Sequence, residues 1–146
     1  GSLLKVRSAP YSEPGWGRTT MGWGIAPSGL TDVLLELHER YPGLPFVITE
    51  NGCSLDDHPG PDGVCDDRER IAYLRAHIGA LAAAMDRGVD VRGYLAWSLM
   101  DNFEWSYGYT RTFGLVRIEP GTGRRIPKAS AAWFASVART NDLPVD

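Results

Sequence analysis

"FVITENGC", Phe46 to Cys53, is the stretch whose reading decides the fold. Phe46, Val47, Ile48 and Thr49 suit a buried strand, and they run without alternation, as in a parallel strand covered on both faces. The run ends on a carboxylate, Glu50, after which Asn51-Gly52 turns the chain. A strand end is a stiff mount, and a stiff mount suits an acid that must meet one atom of a substrate.

Upstream, Leu30, Val33, Leu34, Leu37 and Tyr41 recur at three- and four-residue steps, which predicts an amphipathic helix ended by Pro42-Gly43. Residues 1–28 carry prolines and glycines without a sustained period and read as loop. Downstream of Gly52 an acidic loop leads to Asp66 and Glu69, a predicted capping box. The helix behind it has the stripe Ile71, Leu74, Ile78, Leu81 and Met85, with Gly88 as its stop. "VRGYLAWSL" (91–99) reads as a second buried strand and "GLVRI" (114–118) as a short one. Pro127 is expected to open a last helix with Ala131, Phe134, Val137 and Ala138 on its apolar face. Strands alternating with helices imply parallel strands joined by right-handed crossovers. Glu50 and the run from Trp97 to Trp105 both follow strand C-termini, the edge that carries the site in parallel α/β folds.

The composition narrows the function. A net charge of −3 over 146 residues, with no basic run, excludes a nucleic-acid footprint. No stretch of about 18 apolar residues offers a membrane span. The two cysteines, Cys53 and Cys65, flank a Pro/Gly/Asp loop and could close a small disulfide. The free-thiol reading stands slightly ahead, since nothing else marks a secreted, cystine-stapled chain, and a cytoplasmic location is favoured with it. The opening Gly1-Ser2 looks like an expression scar, so the native N-terminus is not expected to be in view. "DDHPGPDGVCDD" lacks the spacing of a calcium loop, and His38, His58 and His77 have no ligand spacing. No metal and no cofactor is expected.

"ITENG" (48–52) followed by "WSLMDNFEW" (97–105) closely resembles glycoside hydrolase family 1, the retaining β-glucosidases and their relatives. The agreement is extended: "LLELHERYPGLPFVITENG", "DDRERIAYLRAHIGAL" and "RRIPKASAAWF" all look like that family's C-terminal third, from about Gly22 to Asn141. The resemblance implies an α/β fold, the C-terminal portion of a (β/α)8 TIM barrel running from about helix 6 to helix 8, with only strands 7 and 8. A complete barrel takes about 250 residues. The division expected is an irregular segment over 1–21 and the barrel portion over 22–146.

For the site, the resemblance implies that Glu50 is the nucleophile. Glu104 and Trp105 match the pair that grips the sugar's outer hydroxyls, Trp97 the aromatic floor, and Phe113 a further aromatic wall. Without the motifs, Trp97 and Phe113 read as ordinary core aromatics in preference to sugar contacts. Glu104 argues for unphosphorylated sugars, because the phospho-glycosidase branch lacks this carboxylate. A cis peptide is expected between Trp97 and Ser98. The family's acid/base Glu sits in an Asn-Glu-Pro motif, and none occurs here, since Ser12 precedes Glu13-Pro14. The expected function is therefore that of a β-glucosidase-like retaining hydrolase, inactive as this stretch alone. Its expected partners are a β-glucoside or related oligosaccharide and the N-terminal part of the barrel. The alternative is a non-catalytic sugar-binding module built on Trp97, Glu104 and Trp105.

Overall fold

The structure is a computed structural model and describes residues 11–144. Gly1-Ser2 and residues 3–10 of the expected irregular segment therefore lie outside the described residues. Helix α1 (Ser28–Arg40) leads to strand β1 (Phe46–Asn51), helix α2 (Arg68–Met85) and strand β2 (Val91–Ala96). A short hairpin of β3 (Val116–Ile118) and β4 (Arg125–Pro127) precedes helix α3 (Ala129–Thr140). β1 and β2 pair in parallel, with α2 as the connection between them.

One face of this two-stranded sheet is covered. Leu34 of α1, Leu81 and Ala84 of α2 and Val89 form a buried cluster against Phe46, Ile48, Val91 and Tyr94. The other face is bare: Val47 is 50% and Leu95 53% exposed. The expectation of strands covered on both faces is thus met on the helix side only. In a closed barrel the second face looks inward, toward strands that these residues do not supply.

Three local readings are corrected. The stripe of α2 is rotated: Arg70, Tyr73, Leu74, His77, Leu81 and Ala84 are buried, while Met85 is 45% exposed. Two of these are polar residue types, which a count of apolar positions passes over. The capping box does not form; Asp67 stands at the N-terminus of α2 and makes no side-chain cap there. Its carboxylate instead accepts from the backbone N–H and hydroxyl of Ser130 and from Nε of Arg70, tying the starts of α2 and α3 together. Pro127 ends β4 rather than opening a helix, and α3 begins at Ala129 after the extended Lys128. Both cysteines are buried and free, as read. Burial pushes the Cys53 thiol up to about 12, which makes it a poor nucleophile.

His77 is a satisfied core histidine. Nδ1 lies 2.8 Å from the carbonyl oxygen of Tyr73, which can only accept, so the proton sits on Nδ1. Its ring stacks on Tyr73 at 3.9 Å. Burial lowers its pKa, outweighing the opposite pull of the Tyr73 carbonyl and Glu13. The unfolded chain, with an ordinary histidine near 6.5, then binds the proton more readily than the folded one. Stability should be full above that value and fall as pH drops through it. Thermal unfolding at pH 7.5 and 5.5 checks this, and His77→Gln should flatten that part of the difference.

Candidate active site

The exit of β1 is built around a one-residue offset. Ile48 pairs with Tyr94, but Asn51 pairs with Ala96, so β1 spends three residues where β2 spends two. Strict alternation would put Glu50 on the same face as Phe46 and Ile48, against the helices. The extra residue turns it over: Glu50 is exposed on the open face and Asn51 points into the helix layer. There Asn51 Oδ1 accepts from the Tyr94 hydroxyl at 2.7 Å, and its amide nitrogen lies 3.5 Å from the Tyr73 hydroxyl. Such irregularities re-aim side chains beside active sites.

β2 ends next to this point. Trp97 donates its backbone N–H to the Asn51 carbonyl at 2.8 Å, and the Trp97–Ser98 peptide is cis, as expected. The strands approach so closely that a Cβ on Gly52 would lie 1.6 Å from the Trp97 carbonyl oxygen. Neither backbone can yield without displacing Glu50 or Trp97. Gly52→Ala should therefore cost about 1–3 kcal/mol or more and lower the midpoint of thermal unfolding by several degrees.

Beyond Ser98 the chain makes a long excursion that returns at Leu115. Its neck is closed by backbone bonds, Leu115 N–H to Ser98 and Ser98 N–H to Phe113, and by the Gly114 N–H on Asp101 Oδ1. At its tip, Trp105–Tyr107 forms one 3-10 turn, with Glu104 N–H bonded to Gly108 at 2.7 Å. Trp105 holds φ at +43°, a strained value for a bulky residue, and its side chain stands 82% exposed.

These pieces meet in one cleft of about 480 Å³, lined by Trp23, Glu50, Asn51, Gly52, Tyr73, Trp97, Glu104, Trp105 and Phe113. All five residues expected at a site thus lie together. Phe113 does so from below: it is 2% exposed and packs against Trp23 with ring centroids 6.0 Å apart. The volume suits a small ligand such as a monosaccharide. Two carboxylates and three indoles offer acceptors, N–H donors and flat apolar faces, the mixture that a sugar's hydroxyls and C–H surface require.

Behind the cleft lies a buried charge network. Arg70, Asp57, Asp67 and Lys128 are each buried, and Lys128 Nζ bonds Asp57 at 2.8 Å and Asp101 at 3.2 Å. Burial alone would lower the pKa of Arg70, but the carboxylates of Asp57 and Asp67 outweigh it and hold the guanidinium charged. Sequence reasoning missed this network, and it missed Trp23, Tyr73 and the role of Asn51. Trp23 had a signal, a large aromatic set between two glycines in a loop. The acids of the network read as a solvated loop because nothing in their spacing marks which ones turn inward. Among the described residues no cluster of His, Cys, Asp or Glu could hold a metal ion.

Comparison with known proteins bears on this cleft. The sequence model of glycosyl hydrolase family 1 matches residues 5–143. A bifunctional β-D-glucosidase/β-D-fucosidase of Bifidobacterium breve is 48% identical over 120 residues, which is 80% of this chain and 26% of that protein. A 6-phospho-β-galactosidase of Lacticaseibacillus casei is 40% identical over 131 residues, 86% of this chain and 28% of that one. The solved family 1 β-glucosidase of Thermotoga maritima superposes with a TM-score of 0.87 at 42% identity, covering 91% of this chain and 30% of its own. That protein has also been solved in complex with deoxynojirimycin. This chain spans about a quarter of the length of the curated relatives it matches.

Proposed function

The chain belongs to glycosyl hydrolase family 1, and from that footing we propose that Glu50 is the nucleophile of a retaining β-glucosidase-type hydrolysis of unphosphorylated terminal β-glucosides. The observation that carries the reading is the offset in β1, which turns Glu50 out of the helix layer and into a cleft shared with Trp97, Glu104 and Trp105. In a retaining mechanism a second carboxylic acid, about 5–5.5 Å away, protonates the leaving oxygen as the glycosidic C–O bond breaks. An oxygen of Glu50 bonds the anomeric carbon, and water then cleaves the glycosyl ester, returning the carboxylate. Glu104 would accept from the outer hydroxyls, the Trp105 indole N–H would donate to an oxygen, and the face of Trp97 would carry the ring.

Within these residues no Asn-Glu-Pro occurs, so the chain supplies one of the two carboxylates and acts only as part of a complete barrel. The bare face bearing Val47 and Leu95 supports this. Overall identity does not settle phosphorylation, since a 6-phospho relative is 40% identical, and Glu104 carries that part of the reading.

The test is intact mass after incubation with an activated 2-deoxy-2-fluoro-β-glucoside. It is made on the chain alone and on a barrel in which this stretch replaces the matching part of the Thermotoga enzyme. A stable adduct mapped to Glu50 in the completed barrel, and none in the chain alone, is the expected result. An adduct on another residue, or sugar released with inverted configuration, would overturn the assignment. Glucoside binding by the chain alone without turnover would favour the sugar-binding module instead.

A further inference from the structure

We propose that Arg70 is a positioning residue, whose guanidinium locks the exit of β1, carrying Glu50, to the returning limb of the excursion that carries Glu104 and Trp105. The inference rests on the reading of those three residues as nucleophile and sugar clamp.

Arginine has five N–H donors in a rigid fork. In this chain all five find an acceptor. Nε bonds Asp67 at 2.9 Å. One terminal nitrogen bonds the carbonyl of Cys53 and that of Phe113, the latter at 3.2 Å. The other bonds Asp57 and, at 3.0 Å, the carbonyl of Thr112. Cys53 lies three residues beyond Glu50, and Thr112 and Phe113 form the returning limb of the excursion.

The fork therefore bridges two segments that are about sixty residues apart in sequence and share no strand pairing at this point. The Phe113 carbonyl also accepts from the Ser98 N–H, so the bridge reaches the exit of β2 as well. A second tie runs parallel to it, from the Thr112 hydroxyl to the Leu55 carbonyl at 2.7 Å.

The guanidinium is 2% exposed and touches none of the cleft-lining carboxylates, so it acts through backbone position and not through contact with sugar. Three of its five partners are main-chain carbonyls that no substitution removes, so their burial demands a donor at this place. Lysine would keep the charge but brings three donors from one point and cannot span the five acceptors.

The experiment labels the full chain with 5-fluorotryptophan and follows the ¹⁹F resonances of its five tryptophans, assigned by single Trp→Phe changes. In Arg70→Lys the resonances of Trp97 and Trp105 should shift or broaden, while Trp133, which does not line the cleft, should move much less. In the completed barrel the same variant should lose roughly 10- to 100-fold in kcat with KM changed much less, because misplacement by an ångström is felt mainly in the transition state. Unchanged resonances at Trp97 and Trp105 would overturn the proposal. So would an equal disturbance of all five, which would mark Arg70 as general scaffolding. If Arg70→Lys does not fold, Asp67→Asn, which weakens the hold on Nε together with the tie to Ser130, is read by the resonances of Trp97 and Trp105. A completed parent barrel without turnover would fail the reading of Glu50, and the ¹⁹F pattern would still decide the role of Arg70.

Discussion

Replacing Glu50 with glutamine is expected to abolish glycoside turnover in the completed barrel while leaving sugar binding and folding close to unchanged. Glutamine has the shape of the carboxylate and keeps one acceptor oxygen, but a neutral amide neither attacks an anomeric carbon usefully nor leaves from an ester. Loss of a nucleophile costs roughly 10⁴- to 10⁶-fold in kcat. The exposure of Glu50 predicts a folding effect within about 0.5 kcal/mol. Turnover of an aryl β-glucoside gives the first quantity, calorimetric titration with an iminosugar inhibitor the second, and thermal unfolding the third. Turnover near the parent rate would remove Glu50 from the mechanism. Loss of binding together with turnover would instead make it a residue that holds the sugar.

Much of this was legible in the sequence, and the exceptions have physical causes. The strands at 46–51 and 91–96 declare themselves through β-branched and aromatic runs bounded by turn residues, and the acid at the exit of the first is visible at once. The offset that aims the acid is not visible, because one additional residue in a strand leaves no trace in a run that is apolar throughout. The same uniformity hid the bare face: an apolar strand reads alike whether its second cover is present or lies in another part of the barrel. Strand β4 was missed because Arg125-Ile126-Pro127 is short, charged and carries a proline, and only its pairing with β3 makes it a strand. On α2 the inward face contains His77, satisfied by the Tyr73 carbonyl one turn back, and Arg70, whose burial depends on partners up to 43 residues away in the chain.

The acidic loop gives the sharpest case. Asp56 and Asp57 are adjacent and chemically identical, yet Asp56 is exposed beside His58 while Asp57 is buried against Arg70 and Lys128. Composition says only that the loop is negative. Which acid turns inward is decided by two cations delivered from α2 and from the start of α3, so it is a property of the assembled fold.

Those contacts set the second large effect. Lys128→Met is expected to destabilise the chain by about 3–5 kcal/mol, the cost of breaking a buried ion pair from one side. The Lys128 side chain is 0% exposed, so methionine can occupy its volume, but its ammonium bonds both Asp57 and Asp101. Asp57 Oδ1 already has no hydrogen-bond partner among the described residues, so after the change that carboxylate would rest on Arg70 alone. Asp101 would keep only the Gly114 N–H, and Gly114 has no slack, since a Cβ there would lie 2.2 Å from the Asp101 nitrogen. The unfolding midpoint should fall by on the order of 10 °C. Asp101→Asn placed on top of Lys128→Met should recover part of the loss, because it removes one of the two carboxylates that lose the ammonium, and the cycle should show a coupling above about 0.5 kcal/mol. A neutral single variant would mean that water compensates both acids. A deficit that Asp101→Asn leaves untouched would place the whole cost at Asp57, making Lys128 a support for Arg70 rather than for the neck of the excursion.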